Sequence, residues 1–88
     1  MYKSNCYNYD WFVMWLERSL VSNSNQQNLL SAKNISDNFS RLYFEVSIED
    51  VTHAMKQIGY SCVIKQGEEY YCVSYTDEVS KKLWKTWE

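Results

Sequence analysis

The side chains best suited to bind zinc or to form a thiol–imidazole pair are three cysteines and one histidine: Cys6, Cys62, Cys72 and His53. Their spacing suits neither task. Structural zinc takes four Cys or His ligands, commonly as closely spaced pairs, and the chain contains no C-x-x-C. A Cys–His pair can be drawn from Cys62 or Cys72 with His53, but no third residue is identifiable to orient it. An odd cysteine count at low density is not a disulfide framework. The expectation is three reduced thiols serving as small hydrophobes, with Cys62 and Cys72 on adjacent strands. The sequence also lacks a glycine-rich phosphate loop, an H-E-x-x-H helix and a nucleophile elbow. It therefore predicts a binding protein rather than an enzyme, using no metal and no cofactor.

The chemistry left is that of charged and hydrogen-bonding surface groups. Nine Lys and Arg face eleven Asp and Glu, a formal net charge of -2. Non-specific duplex affinity comes mainly from neutralised phosphates, so this balance argues against strong general DNA binding and makes the placement of each lysine decisive. Four carboxylates, Glu49, Asp50, Glu68 and Glu69, fall in two adjacent pairs.

The elements that position these groups follow from periodicity. The chain has 88 residues, 45% hydrophobic and 17% aromatic, with no proline and two glycines. That suits one domain with one core. Residues 1–9 form a tyrosine-rich arm in which Tyr2, Tyr7 and Tyr9 can dock on the body. Asp10 reads as an N-cap for a helix from Trp11 to Val21, with Phe12, Leu16 and Leu20 at i, i+4, i+8 and Trp11 and Trp15 on a neighbouring stripe. The Asn- and Gln-rich stretch from Asn23 to Asn28 reads as a loop. Ser31 then caps a second helix whose stripe is Ala32, Ile35, Phe39 and Leu42. Segment 41–46 fits a helix end or an extended piece.

Ser47-Ile48-Glu49-Asp50 places a capping serine three residues before an acid. Ile48, Val51, Met55 and Ile58 repeat with helical period, and Gly59 supplies the left-handed stop. The period then changes. Tyr60–Lys65 and Tyr70–Tyr75 are rich in β-branched and aromatic residues, and Gln66-Gly67-Glu68-Glu69 forms the turn of a hairpin. Asp77 reads as the cap of a final helix over 77–87, with Val79, Leu83 and Trp87 as its stripe and Trp84 beside it. Lys81, Lys82 and Lys85 complement that helix's C-terminal dipole. The simplest place for Trp11, Trp15, Trp84 and Trp87 is the core; any of them found exposed would mark a partner surface.

The order helix, helix, helix, glycine stop, hairpin resembles a winged helix-turn-helix domain over residues 10–75. The most specific stretch runs from Val46 to Tyr60 and is followed by the hairpin that ends Tyr70-Tyr71-Cys72-Val73. It is similar to the small winged-helix domains of phage- and plasmid-type primase-helicases and other replication proteins, in which a capped helix ends at "IGY" or "LGY" and a wing returns through paired aromatics. The fold class expected is α+β, mainly helical, with three helices, a wing and a short C-terminal helix. The resemblance implies a DNA-binding module of a replication, phage or mobile-element protein. Residues 47–58 would be its recognition helix and 61–75 its wing. It turns Thr52, His53, Lys56 and Gln57 outward to base edges, puts Lys65 and Gln66 at the wing tip, and sets Lys33 and Asn34 against backbone phosphate at a helix N-terminus.

Each of these residues has an ordinary alternative as a solvated polar position. The second reading of the whole is a winged helix that contacts protein, for example a small phage-encoded inhibitor, or that dimerises through an aromatic surface. Duplex DNA is the expected partner of the first reading, and a protein or a second copy that of the other. The longest apolar run, Trp11–Leu16, is far short of a membrane span of about twenty residues. No signal-peptide pattern opens the chain, so a cytoplasmic setting is expected, and the tripeptides Asn34-Ile35-Ser36 and Asn38-Phe39-Ser40 read as chance matches to a glycosylation site.

Overall fold

In the computed structural model, residues 2–22 and 29–87 are described; the expected Asn- and Gln-rich loop and the side chain of Trp87 lie outside this set. The elements run α1 Tyr9–Ser19, β1 Leu20–Ser22, β2 Leu30–Ser31, α2 Ala32–Leu42, α3 Ile48–Ile58, β3 Cys62–Lys65, β4 Glu68–Tyr71, β5 Val73–Tyr75 and α4 Asp77–Trp87. Four helices and two small antiparallel sheets make this an α+β domain, in an arrangement compatible with a winged helix. One sheet has the order β2-β4-β3 and the other pairs β1 with β5.

Two helices start and stop where their local chemistry dictates. Ser31 and Ser47 each stay extended and accept a backbone N–H three residues on, from Asn34 at 3.1 Å and Asp50 at 3.0 Å. Asp50 returns the favour by accepting from the Ser47 N–H, which closes a capping box around α3. At the far end Gly59 takes φ +97° and its N–H donates to the Met55 carbonyl. Segment 41–46 resolves into the last turn of α2 followed by a loop, held where the Ser36 hydroxyl donates to the Val46 carbonyl.

The first helix differs from expectation at both ends. Its N-cap is Asn8, whose side-chain oxygen accepts from the Trp11 N–H at 3.1 Å. Asp10 sits within the first turn, where its charge still favours the dipole. The helix stops at Ser19 because Leu20, Val21 and Ser22 pair with Tyr75, Ser74 and Val73. The hairpin is also tighter than its composition implies. Gln66 at φ 54° and Gly67 at φ 81° make a two-residue turn with both central residues left-handed, as a type I′ turn requires. Glu68 and Glu69 therefore join β4, opposite Lys65 and Ile64. After a bend at Cys72 the same segment leaves one sheet for the other, and Cys62 faces Tyr71 across the ladder instead of Cys72. The three cysteines are free.

The core is built on Phe12, Leu16, Ile35, Phe39, Val51, Met55, Tyr71 and Val73, all buried. Phe39 is its aromatic centre. Around it lie Phe12 at 4.6 Å between ring centroids, Trp15 at 4.9 Å, Phe44 at 5.0 Å, Tyr43 at 5.2 Å and Trp11 at 5.9 Å. The tryptophans divide. Trp15 is buried, Trp11 is 40% exposed and Trp84 is 73% exposed, so the expectation of a common core placement fails for Trp84 and in part for Trp11. Leu83 takes the inward position beside it.

Phe39→Ala should destabilise the domain by about 3–5 kcal/mol, much of the roughly 5–15 kcal/mol a domain commonly has; the urea midpoint measures it. Gly59→Ala meets no atom within 4 Å, so its cost should be that of the left-handed backbone alone, about 1–2 kcal/mol. A neutral Gly59→Ala in the same urea titration would mean that α3 ends differently.

Candidate functional site

The outer face of α3 is not bare, because the N-terminal arm lies along it. The Tyr2 ring stacks on the His53 imidazole, with centroids 3.9 Å apart and planes 14° from parallel. Its hydroxyl donates to Asp50 at 2.5 Å. The Tyr9 hydroxyl lies 2.7 Å from Nδ1 of His53 and donates to Oε1 of Gln57 at 3.2 Å, a pairing that calls for a proton on Nδ1. Asp50, His53 and Gln57 recur at i, i+3, i+7 and so form one stripe of the helix. The arm follows that stripe.

Asp50 is the anchor of this contact. Burial pushes its carboxyl up, but hydrogen bonds from Tyr2, Ser4 and Ser47 outweigh burial and hold it below the ordinary carboxylate value. The same bond to Asp50, joined by burial, pushes the Tyr2 phenol well above its ordinary value. Burial raises Tyr9 as well, with Asp50 adding to it. The carboxylate thus closes the helix cap and fastens the arm.

The expected DNA-contacting residues separate into three groups. Lys33, Asn34 and Thr52 meet in an open groove between α2, α3 and β4, whose other side carries Glu68, Glu69 and Tyr70. There the Asn34 N–H is already taken by Ser31, and the Thr52 hydroxyl donates to the Ile48 carbonyl at 3.0 Å. One ammonium in this groove faces two carboxylates, a poor setting for phosphate. His53 is partly covered by Tyr2, while Gln57 stays exposed and accepts from Tyr9. Lys56, Lys65 and Gln66 are exposed, the first on α3 and the others at the hairpin tip.

A different surface gathers aromatic side chains. Tyr7, Trp11, Tyr43 and Phe44 line a groove of about 550 Å³ with Asn8 and Leu42. Tyr7 is 86% exposed and Tyr43 42% exposed. Trp11 meets Tyr43 edge-on at 4.9 Å, and Tyr7 meets Phe44 at 5.7 Å. Tyr7 and Phe44 also line an adjoining recess that holds Lys3, Glu45, Glu49 and Asp50. Composition alone did not single out Tyr43 and Phe44, since they fall where helical period breaks. The available signal was Trp11 with Met14 and Arg18 at i, i+3, i+7, a second stripe beside the core stripe of α1.

Among the described residues no cluster of three or more His, Cys, Asp or Glu side chains is placed to hold a metal ion, and no helix is long and apolar enough to cross a membrane. The chain matches no protein-family model, no curated protein and no solved structure.

Asp50→Asn should destabilise the domain by about 1–3 kcal/mol and alter its acid response. A lowered folded pKa means the carboxylate's contribution is complete above its unfolded value of about 4. It disappears as pH falls through the lower folded value. Wild type should therefore lose stability on acidification through that window while Asp50→Asn loses less, measured as urea midpoints across the acid range. Parallel curves would show that the ionised carboxylate is not what secures cap and arm.

Proposed function

We propose that the chain is a winged-helix binding module whose working surface is the aromatic groove and whose partner is protein. The observation that carries this reading is the exposure of Tyr7, Trp11 and Tyr43 around Phe44. Aromatic side chains are enriched at interface hot spots because they bring large rigid area at low entropic cost. Trp11 and Tyr43 are also backed by Phe39, so these two rings leave little ordering for binding to impose. The covered stripe of α3 supports the same choice. A recognition helix needs its outer side chains free to reach base edges, and here His53 and Gln57 are engaged by Tyr2 and Tyr9.

The exposed Lys56 and Lys65 favour a second reading, contact with duplex DNA by a replication or mobile-element protein. It requires the arm to leave α3 before the helix enters a groove. The carboxylates Glu49, Glu68 and Glu69 work against it through repulsion from phosphate.

Two titrations separate these readings. A labelled duplex at low salt should show no saturable binding to the wild type or to the Lys56→Ala, Lys65→Ala double variant. Proteins retained by the immobilised wild type should also be retained by that lysine variant and lost by a Trp11→Ala, Tyr43→Ala variant. Saturable duplex binding abolished by the lysine substitutions would replace this reading with the DNA one.

A further inference from the structure

The aromatic groove has a counterpart on the same chain. Helix α4 turns Val79 and Leu83 into the core and leaves Trp84 73% exposed. Lys81, Lys82 and Lys85 on the same helix are exposed too. Lys81 lies one helical turn from both Trp84 and Lys85, at i, i+3 and i, i+4, so it links the indole to the basic side of the helix. An indole removes about 150–250 Å² from water when it is covered, so Trp84 is a large apolar group that this helix can offer to a partner.

The groove presents the opposite character. Tyr7, Trp11, Tyr43 and Phe44 supply an open, mainly apolar groove. Its continuation past Tyr7 and Phe44 carries the exposed carboxylates Glu45 and Glu49 against the single ammonium of Lys3. An apolar groove with an acidic margin matches an indole with a basic margin. Lysine beside exposed Tyr and Trp faces also gains cation–π attraction.

We propose that the groove's occupant is a second copy of this chain, whose α4 lays Trp84 over the Trp11–Tyr43 pair and sets Lys81 and Lys85 against Glu45 and Glu49. The proposal rests on the reading of the groove as a protein-binding surface. The two halves of the contact are different patches, so each copy carries one donor face and one acceptor groove. Association should weaken as salt screens the lysine–carboxylate margin.

Sedimentation velocity over a concentration series tests this with the whole chain. The wild type should rise above its monomer mass of 10.6 kDa, and less so at high salt. Trp11→Ala and Trp84→Ala should each weaken association by roughly thirtyfold or more, the loss expected for a truncated aromatic hot spot. Trp84 is the more exposed ring, while Trp11 also packs on Phe39; urea midpoints are read alongside, and Trp84→Ala alone decides if Trp11→Ala shifts them. Mixing the two variants should restore association, since one retains the donor face and the other the groove. A wild type that stays at 10.6 kDa throughout overturns self-docking while leaving the groove open to another protein, which the paired binding titrations judge separately. Association that survives in both single variants, or a mixture that fails to recover, also overturns it.

Discussion

The packing of Phe39 against five aromatic neighbours is the contact on which the remainder of this molecule rests. Its ring lies on the buried stripe of α2, yet the rings around it come from α1 and from the loop after α2. Inward, Phe12 and Trp15 join it to the core that Val51 and Met55 complete from α3. Outward, Trp11, Tyr43 and Phe44 turn their other edges to the groove. One side chain therefore sets both the spacing of the helices and the shape of the exposed surface. Close-packed interiors transmit such displacements because they contain little free volume. A loss at Phe39 cannot remain confined to stability; it has to reach the groove.

Asp50 plays the corresponding part among the polar groups. It accepts from its own capping partner Ser47 and from Tyr2, forty-eight residues away in sequence. The first bond belongs to any well-capped helix. The second fixes the arm across α3 and brings Tyr2 over His53. A buried carboxylate without such donors would carry a large desolvation cost, so cap and arm contact support each other. This coupling explains how a polar, tyrosine-rich arm with few aliphatic residues lies against the domain at all.

What could be read from the sequence was whatever is decided within one turn of chain. Ser31 and Ser47 announce α2 and α3 because each bonds to an N–H three residues on, and Gly59 ends α3 because φ is positive there. The end of α1 could not be read that way. Leu20-Val21-Ser22 continues a helical pattern, and only pairing with Val73–Tyr75 makes it extended. The two-residue β2 gives no periodic signal and exists through its register with Tyr70 and Tyr71. In the hairpin, β propensity located the strands, but Glu68 and Glu69 looked like turn residues until the left-handed pair Gln66-Gly67 took the turn for itself. The candidate surface was legible in part. The outward placement of Lys33 and Lys56 followed from helical period, whereas the engagement of His53 and Gln57 by the arm depends on contacts over more than forty residues.

The division between Leu83 and Trp84 shows how such a small domain acquires a surface. Adjacent residues on a helix point about 100° apart, so a narrow core contact on α4 can take only one of them, and Val79 with Leu83 fits it. A domain with a deeper layer over α4 would bury Trp84 as well. Eighty-eight residues provide too little interior to enclose fifteen aromatic rings. The excess has to be left at the surface. It is distributed unevenly, with Tyr7, Trp11 and Tyr43 gathered in one groove and Trp84 standing among lysines on α4. Carboxylates collect at the start of α3 and along β4, while on α4 Asp77 and Glu78 occupy the first turn and the lysines follow, with Lys85 in the last turn. The helix dipole favours that polarity in each helix separately. Local capping chemistry therefore leaves the chain with an acidic edge beside one aromatic surface and a basic edge beside the other.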